Sequence, residues 1–224
     1  MVLDMRIPNG VQEILKRKIY HEQKIFHLKQ LLETQPGNPV IIAFISAEEA
    51  LVKKKGIRAA KIYEDVAAMT DDPKWLVDRQ ARTLAKYAYF DIGSGPIEKA
   101  HALFTQKLDV EPEKAWKTIA DILKNMKGWG YAAQCYANAD MPGTAARMFE
   151  KQLNQPQKAA WYYEKSEEWL AAARMYKKSK MHDKAGQCYA KAKMLKMAVQ
   201  QWKKSGTLEQ YNIGEQTMQN IMRK

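Results

Sequence analysis

Lysines in the C-terminal part of this 224-residue chain are the residues whose type and spacing indicate binding chemistry. Residues 141–224 hold 16 Lys and Arg against 7 Asp and Glu, whereas residues 1–140 hold 21 against 18. Ammonium groups attract carboxylates and phosphates, so clustered lysines form a surface suited to an acidic protein or a nucleic acid. The candidate partner-binding residues are Lys177, Lys178, Lys180, Lys184, Lys203, Lys204 and Tyr162, the last being the aromatic of this region that we expect to be most exposed.

A second set of lysines recurs at a nearly constant interval, and two interpretations of it stay open. Repetition predicts that these lysines line one edge of a stack of helices and form a basic ridge. Alternatively, each lysine only complements the dipole at the C-terminus of its own helix, which stabilises a helix by roughly 0.3–1 kcal/mol. The members of the set are Lys151, Lys165, Lys178, Lys191 and Lys204.

The cysteines and histidines lack the spacing of a redox or metal site. Cys135 and Cys188 occupy the same place in two Gln-Cys-Tyr-Ala strings. Equivalent positions of separate repeats lie too far apart for a disulfide, and a free cysteine behaves as a small buried apolar residue. None of the four histidines lies in a His-Glu-x-x-His string or similar ligand pattern. We expect buried free thiols and no bound metal or other cofactor.

No enzyme signature is present in the sequence. The string Gly-x-x-x-x-Gly-Lys-Ser/Thr of a phosphate-binding loop is absent, and so is the Gly-x-Ser-x-Gly of a nucleophile elbow. The carboxylate pairs Glu64-Asp65 and Glu167-Glu168 are adjacent in sequence, and adjacent residues of a helix point in different directions. We therefore expect a protein without enzymatic activity.

A repeat predicts the elements that position the lysines. Six strings consist of two small residues, two variable residues and an aromatic, and they succeed each other in steps of 13, 14, 13, 13 and 13 residues. The first small residue and the aromatic share one helix face, and one short helix with a tight turn fits this period. The sequence predicts an all-α fold, a right-handed α-solenoid of antiparallel helical hairpins with the small residues at close helix contacts. The strings begin at Ala132, Ala145, Ala159, Ala172, Ala185 and Ala198.

Turn signals and apolar periodicity divide the rest of the chain into longer helices. Residues 1–128 are predicted to form the part with longer helices, and residues 129–224 to form the short-helix repeats with a capping helix at 207–224. We expect the two parts to form one continuous superhelix. The helices predicted before residue 129 span about 11–35, 40–54, 57–69, 71–90, 96–108 and 112–126.

The repeated strings carry a family resemblance. The segment from Ala172 to Tyr176 resembles the Ala-x-x-x-Phe of the second helix of tetratricopeptide (TPR) repeats. The step of about 26 residues for two helices is shorter than the usual 34, so residues 129–206 look more like the short repeats of soluble NSF attachment proteins. They are also similar to the C-terminal solenoids of intraflagellar-transport and vesicle-coat subunits. The resemblance implies a TPR-like superhelix that binds other proteins.

Together these features predict a non-catalytic scaffold or adaptor that binds another protein, acidic by charge complementarity, along the concave face of the superhelix. The alternative is a basic helical-repeat protein that binds RNA or DNA through its lysines. No apolar run reaches the roughly 18 residues that a membrane span requires. The first ten residues also lack the apolar stretch of a secretory signal. We expect a cytoplasmic protein.

Overall fold

The described part of the chain is built from α-helices, as predicted. The structure is a computed structural model that describes residues 7–8, 10–70, 73–88 and 95–211. These residues form 13 α-helices and contain no β-strand. None of these helices is long and apolar enough to cross a membrane. The chain divides into two compact units, Met1–Gly128 and Trp129–Lys224.

The first unit contains seven of the described helices, and its longest helices have 14 residues. A π-helical turn, Leu103–Lys107, follows α6 directly. The core of the first unit is centred on the helices between residues 21 and 87, where Phe44 and Tyr63 are completely buried and their ring centroids lie 6.2 Å apart. The helices are α1 Val11–Lys16, α2 His21–Thr34, α3 Pro39–Val52, α4 Gly56–Ala67, α5 Lys74–Tyr87, α6 Gly95–Ala102 and α7 Pro112–Asn125.

The prediction of a single helix over residues 11–35 is wrong, because the chain leaves the helical conformation at Arg17, with φ −60° and ψ 138°. The break frees the carbonyl oxygen of Leu15 from the helical hydrogen-bond ladder. Lys24 Nζ and Arg79 Nη1 donate to this oxygen at 3.0 and 3.2 Å. Side chains from other helices thus satisfy the backbone where the apolar periodicity alone predicted continuity.

The second unit contains six described helices, five of ten residues and one of eleven. Each helix packs on the next along the chain. The predicted capping helix lies mostly outside the described residues, which end with a short 3₁₀ turn, Leu208–Tyr211. The helices are α8 Trp129–Asn138, α9 Pro142–Lys151, α10 Pro156–Lys165, α11 Trp169–Lys178, α12 His182–Lys191 and α13 Leu195–Ser205.

The repeated residues form the core of the second unit, which confirms the prediction made from their spacing. The first alanine of every string has no solvent-exposed surface, and the aromatic of every string is at most 4% exposed. Small side chains let neighbouring helices approach closely, and the aromatics fill the space beside those contacts. The buried aromatics are Tyr136, Phe149, Tyr163, Tyr176, Tyr189 and Trp202.

The turns between these helices repeat as regularly as the helices do. In all five turns between the short helices a residue other than glycine has a positive φ, as at Lys180 (59°) and Lys193 (60°). The carbonyl oxygen of the preceding core aromatic accepts the hydrogen bond that closes the turn. Met181 N–H donates to Tyr176 at 2.9 Å, and Met194 N–H donates to Tyr189 at 2.8 Å. Each aromatic therefore belongs both to the core and to the end of its helix.

Candidate functional site

Side chains from three helices of the second unit meet at one edge. His182 is the first residue of α12, and its Nδ1 lies 2.9 Å from Oε1 of Gln201, near the end of α13. Lys178 Nζ, at the end of α11, donates to Oδ1 of Asn154 in the turn after α9, at 3.1 Å. Neighbouring helices therefore run antiparallel, and the ends of α9, α11 and α13 lie at the same edge as the start of α12.

The six lysines that the sequence singled out all belong to this edge. They come from the end of α11, the turn that follows, the third residue of α12 and the end of α13. All six are exposed, and none of them pairs with an acidic side chain of the described residues. We call this surface the basic edge, formed by Lys177, Lys178, Lys180, Lys184, Lys203 and Lys204.

Part of this edge is held in place by contacts with the helices beneath it. Lys184 Nζ lies 5.5 Å from the ring centroid of Tyr176, so its ammonium group contacts an aromatic face of the preceding helix. Lys158 and Phe149 form the same contact one hairpin earlier, at 5.6 Å. In both cases the third residue of a helix lies over the aromatic of the helix before it. The ammonium group of each of these two lysines is therefore held against an aromatic ring.

The prediction that all five repeated lysines share one edge is wrong. Lys191 Nζ lies 4.0 Å from Oε1 of Glu164, which places the end of α12 beside the end of α10. Lys165 Nζ lies 4.0 Å from the ring centroid of Trp161 on its own helix, α10. Because consecutive helices run antiparallel, their C-termini alternate between two edges. Lys165 and Lys191 therefore lie opposite the basic edge.

Tyr162 is not the exposed aromatic of this region. It is half-buried and stacks on Phe149 with ring centroids 5.2 Å apart and planes 6° from parallel. Trp161 is 44% exposed. The core side of α10 is defined by Ala159, Ala160 and Tyr163, and at about 100° per residue Trp161 points almost directly away from it. Trp161, rather than Tyr162, is the aromatic available to a partner.

The two cysteines are buried in separate helices, as predicted. Cys135 lies in α8 and Cys188 in α12, and each is at most 3% exposed. Burial raises the pKa of the Cys135 thiol to about 12 and, with a contribution from Glu164, that of Cys188 to about 11. A protonated, buried thiol is a poor nucleophile and metal ligand. The described residues also contain no group of three or more His, Cys, Asp or Glu side chains arranged to hold a metal ion.

The first unit contains a buried polar cluster that sequence reasoning missed. Glu48 has no exposed surface, and its carboxylate accepts hydrogen bonds from Tyr63 at 3.3 Å and from the Arg79 guanidinium, with His21 Nδ1 also in contact. Burial alone would raise the pKa of Glu48, but the bond with His21 and the charge of Arg79 hold it below its usual value. The sequence feature that could have revealed this cluster is the carboxylate of Glu48 on the core side of α3, a helix that is otherwise strongly apolar.

No protein-family model matches the chain, and no curated protein sequence matches it.

Proposed function

We propose that the protein is a non-catalytic helical-repeat scaffold or adaptor of the right-handed, TPR-like solenoid type, and that it binds an acidic partner protein through the basic edge. The observation that carries the proposal is the gathering of six exposed lysines at one edge without acidic partners among the described residues. Charged groups of one sign on a rigid support steer and orient a partner of the opposite sign.

The supporting core explains how such a surface is held. The repeated alanines and aromatics are buried in contacts between helices, so the exposed lysines are carried by a packed support. Five of the six lysines lie in the last turn of a helix or in the turn that follows, where the carbonyl groups of the helix end carry partial negative charge, and Lys184 lies near the start of α12. The helix-end carbonyl groups therefore offset part of the lysine charge, and the combined electrostatic field of the six lysines attracts the partner.

Two variants with equal changes of charge test the proposal. The edge variant replaces Lys177, Lys178, Lys203 and Lys204 by Glu. The control variant makes the same replacement at four lysines of the opposite edge, Lys165, Lys191, Lys193 and Lys196. Wild type and both variants are used to capture proteins from a native extract of the source cells, after circular dichroism has shown that all three remain helical.

The proposal predicts an acidic protein that wild type and the control variant capture and the edge variant does not. Capture of the same proteins by all three would contradict it. Turnover found in a substrate screen would contradict the non-catalytic part.

A second candidate function is binding of RNA or DNA, which the exposed indole of Trp161 favours. Bases stack on exposed aromatic rings, and lysines neutralise phosphates. Binding of this kind releases counterions and weakens steeply with salt. A band-shift assay with single-stranded and duplex nucleic acid at about 50 mM salt decides between the two candidates. Binding that the edge variant or the control variant abolishes would favour nucleic acid, because Trp161 lies beside Lys165 of the opposite edge, and the absence of any shift would exclude it.

A cytoplasmic location completes the proposal, and the two unpaired cysteines support it. Thiols are kept reduced in the cytosol, whereas secreted proteins form disulfides. Fractionation of source cells, with the protein detected by antibody, checks this assignment.

A further inference from the structure

A solvent-open pocket of about 300 Å³ lies in the first unit, between the break after α1 and the outer face of α5. Its wall is mixed in character. Leu15, Leu51 and Trp75 supply an apolar side. The rest of the wall consists of five cationic side chains, one carboxylate, that of Asp78, and the side chains of His21, Thr83 and Tyr87. The cationic residues are Lys16, Lys24, Arg79, Arg82 and Lys86.

The two arginines of this wall are already engaged. Arg82 Nε donates to both carboxylate oxygens of Asp78, at 2.9 and 2.8 Å. Arg79 binds the buried carboxylate of Glu48 and the carbonyl oxygen of Leu15. The charges of both arginines are balanced by these carboxylates, so they do not by themselves indicate a ligand.

Within the described ranges the three lysines make only neutral contacts: Lys16 Nζ donates to Oε1 of Gln12 at 3.5 Å, and Lys86 Nζ lies 5.6 Å from the ring centroid of Tyr87. Among the described residues none of them pairs with an acidic side chain. Lys24 is 8% exposed, and its ammonium group donates to the Leu15 carbonyl oxygen, which leaves two N–H donors over. Burial lowers the pKa of Lys24, against the opposing charge of Glu48, and the nearby charges of Arg79 and Lys86 lower it further. Five cations face two carboxylates, those of Asp78 and Glu48, so three positive charges remain uncompensated around the pocket.

We propose that this pocket binds a small organic phosphate monoester, whose phosphate is held by Lys16, Lys24 and Lys86 and whose organic part packs against Leu51 and Trp75. A phosphate dianion offers the charge and the acceptor oxygens that suit the three ammonium groups of this wall. The pocket volume lies at the lower end of the range for small-molecule sites, which restricts the ligand to a compact molecule. The proposal concerns the first unit alone and is independent of the function proposed for the basic edge.

Isothermal titration of the full chain with phenyl phosphate, inorganic phosphate and phenol tests the proposal. Phenyl phosphate carries both features of the ligand, and the other two probes carry one each. We expect phenyl phosphate to bind more tightly than inorganic phosphate, and phenol to give no measurable heat. Equal binding of phenyl phosphate and inorganic phosphate would overturn the assignment of the apolar wall.

Three single variants locate the binding. Lys24→Met and Lys86→Met keep most of the side-chain stem and remove a charge from the pocket, and each is expected to weaken phenyl phosphate binding roughly 10- to 100-fold. Lys29→Met is the matched control, because Lys29 is an exposed lysine of α2 outside the pocket wall. We expect it to bind like the wild type.

The proposal is overturned if phenyl phosphate fails to bind wild type at millimolar concentration, or if the Lys24 and Lys86 variants bind it as well as wild type does. Equal loss in the Lys29 variant would also overturn it, because binding would then reflect overall charge. If Lys24→Met fails to fold, Lys86→Met alone decides the result, since Lys86 is only half-buried.

Discussion

Gly186 provides the sharpest test of the packing in the second unit. It occupies the second small position of its string, where the four preceding strings of the repeat have alanine. A Cβ added to Gly186 would lie 2.3 Å from Nε1, 2.5 Å from Cδ1 and 2.8 Å from Cε2 of Trp202. Trp202 is the largest aromatic of the six strings, and the missing methyl group makes room for its indole.

The magnitude for Gly186→Ala follows from these distances. Ordinary contacts of a Cβ are 3.4–4 Å, so the indole has to move by roughly 1 Å. Trp202 is 4% exposed and packed on its other sides, so this overpacking costs about 1–3 kcal/mol. Alanine returns about 1 kcal/mol through its higher helix propensity. We expect net destabilisation of up to about 2 kcal/mol.

A double-mutant cycle followed by urea unfolding and circular dichroism measures this coupling. Trp202→Tyr alone leaves a void beside Gly186 and is expected to cost about 1–3 kcal/mol. The double variant recreates the alanine and tyrosine pair found, at the same separation of 16 residues, in Ala173 and Tyr189. We expect the double variant to lose less unfolding free energy, by at least about 1 kcal/mol, than the two single variants lose together. Additive effects, or a Gly186→Ala variant about 1 kcal/mol more stable than wild type, would refute the reasoning.

Three further predictions concern the turns, the buried carboxylate and the thiols. Lys180→Gly should stabilise the protein by up to about 1 kcal/mol in urea unfolding, because glycine adopts a positive φ without strain. As a control, Lys177→Gly inside α11 should destabilise the protein by about 1 kcal/mol, because glycine has a low helix propensity. Glu48→Gln should cost about 3–5 kcal/mol by leaving the half-buried Arg79 guanidinium without its counter-charge. The pKa of Glu48 is lower in the folded state, so its contribution to the free energy of unfolding is present above pH 4.5 and is lost as the pH falls below it. Acid titration of wild type should therefore show a loss of stability that the Gln variant lacks. The two thiols should react with a disulfide reagent at pH 8 at least about 100-fold more slowly in native than in urea-unfolded protein; equal rates would contradict their burial.

The sequence predicted the helices because the signals involved are local. The steps between Ala132 and Ala198 located the buried face of every short helix, and the predicted span of 40–54 agrees closely with α3. The end of each short helix was also predictable from the period, although Lys180 and Lys193 adopt positive φ without the glycine that usually marks such a turn. At these two turns the regular spacing indicated where the helix ends, and the residue type did not.

The sequence did not predict features that depend on contacts between distant residues. The break at Arg17 is stabilised by donors from α2 and α5, which apolar periodicity does not reveal. Glu48 and Arg79 lie 31 residues apart and meet only when α3 and α5 pack. The separation of Lys165 and Lys191 from the basic edge follows from antiparallel packing, because the C-termini of consecutive helices alternate between two edges. The exposure of Trp161 is likewise calculable from its angle on α10.

The most direct measurement of the central claim is the dissociation constant of the captured acidic partner for wild type, edge variant and control variant, determined by fluorescence anisotropy at about 100 mM salt. If the basic edge is the docking surface, the edge variant binds the partner at least about tenfold more weakly than wild type does. The dissociation constant of the control variant then stays within about threefold of the wild-type value. Equal weakening of the two variants would show that only net charge matters. Wild-type affinity in the edge variant would show that the partner docks elsewhere.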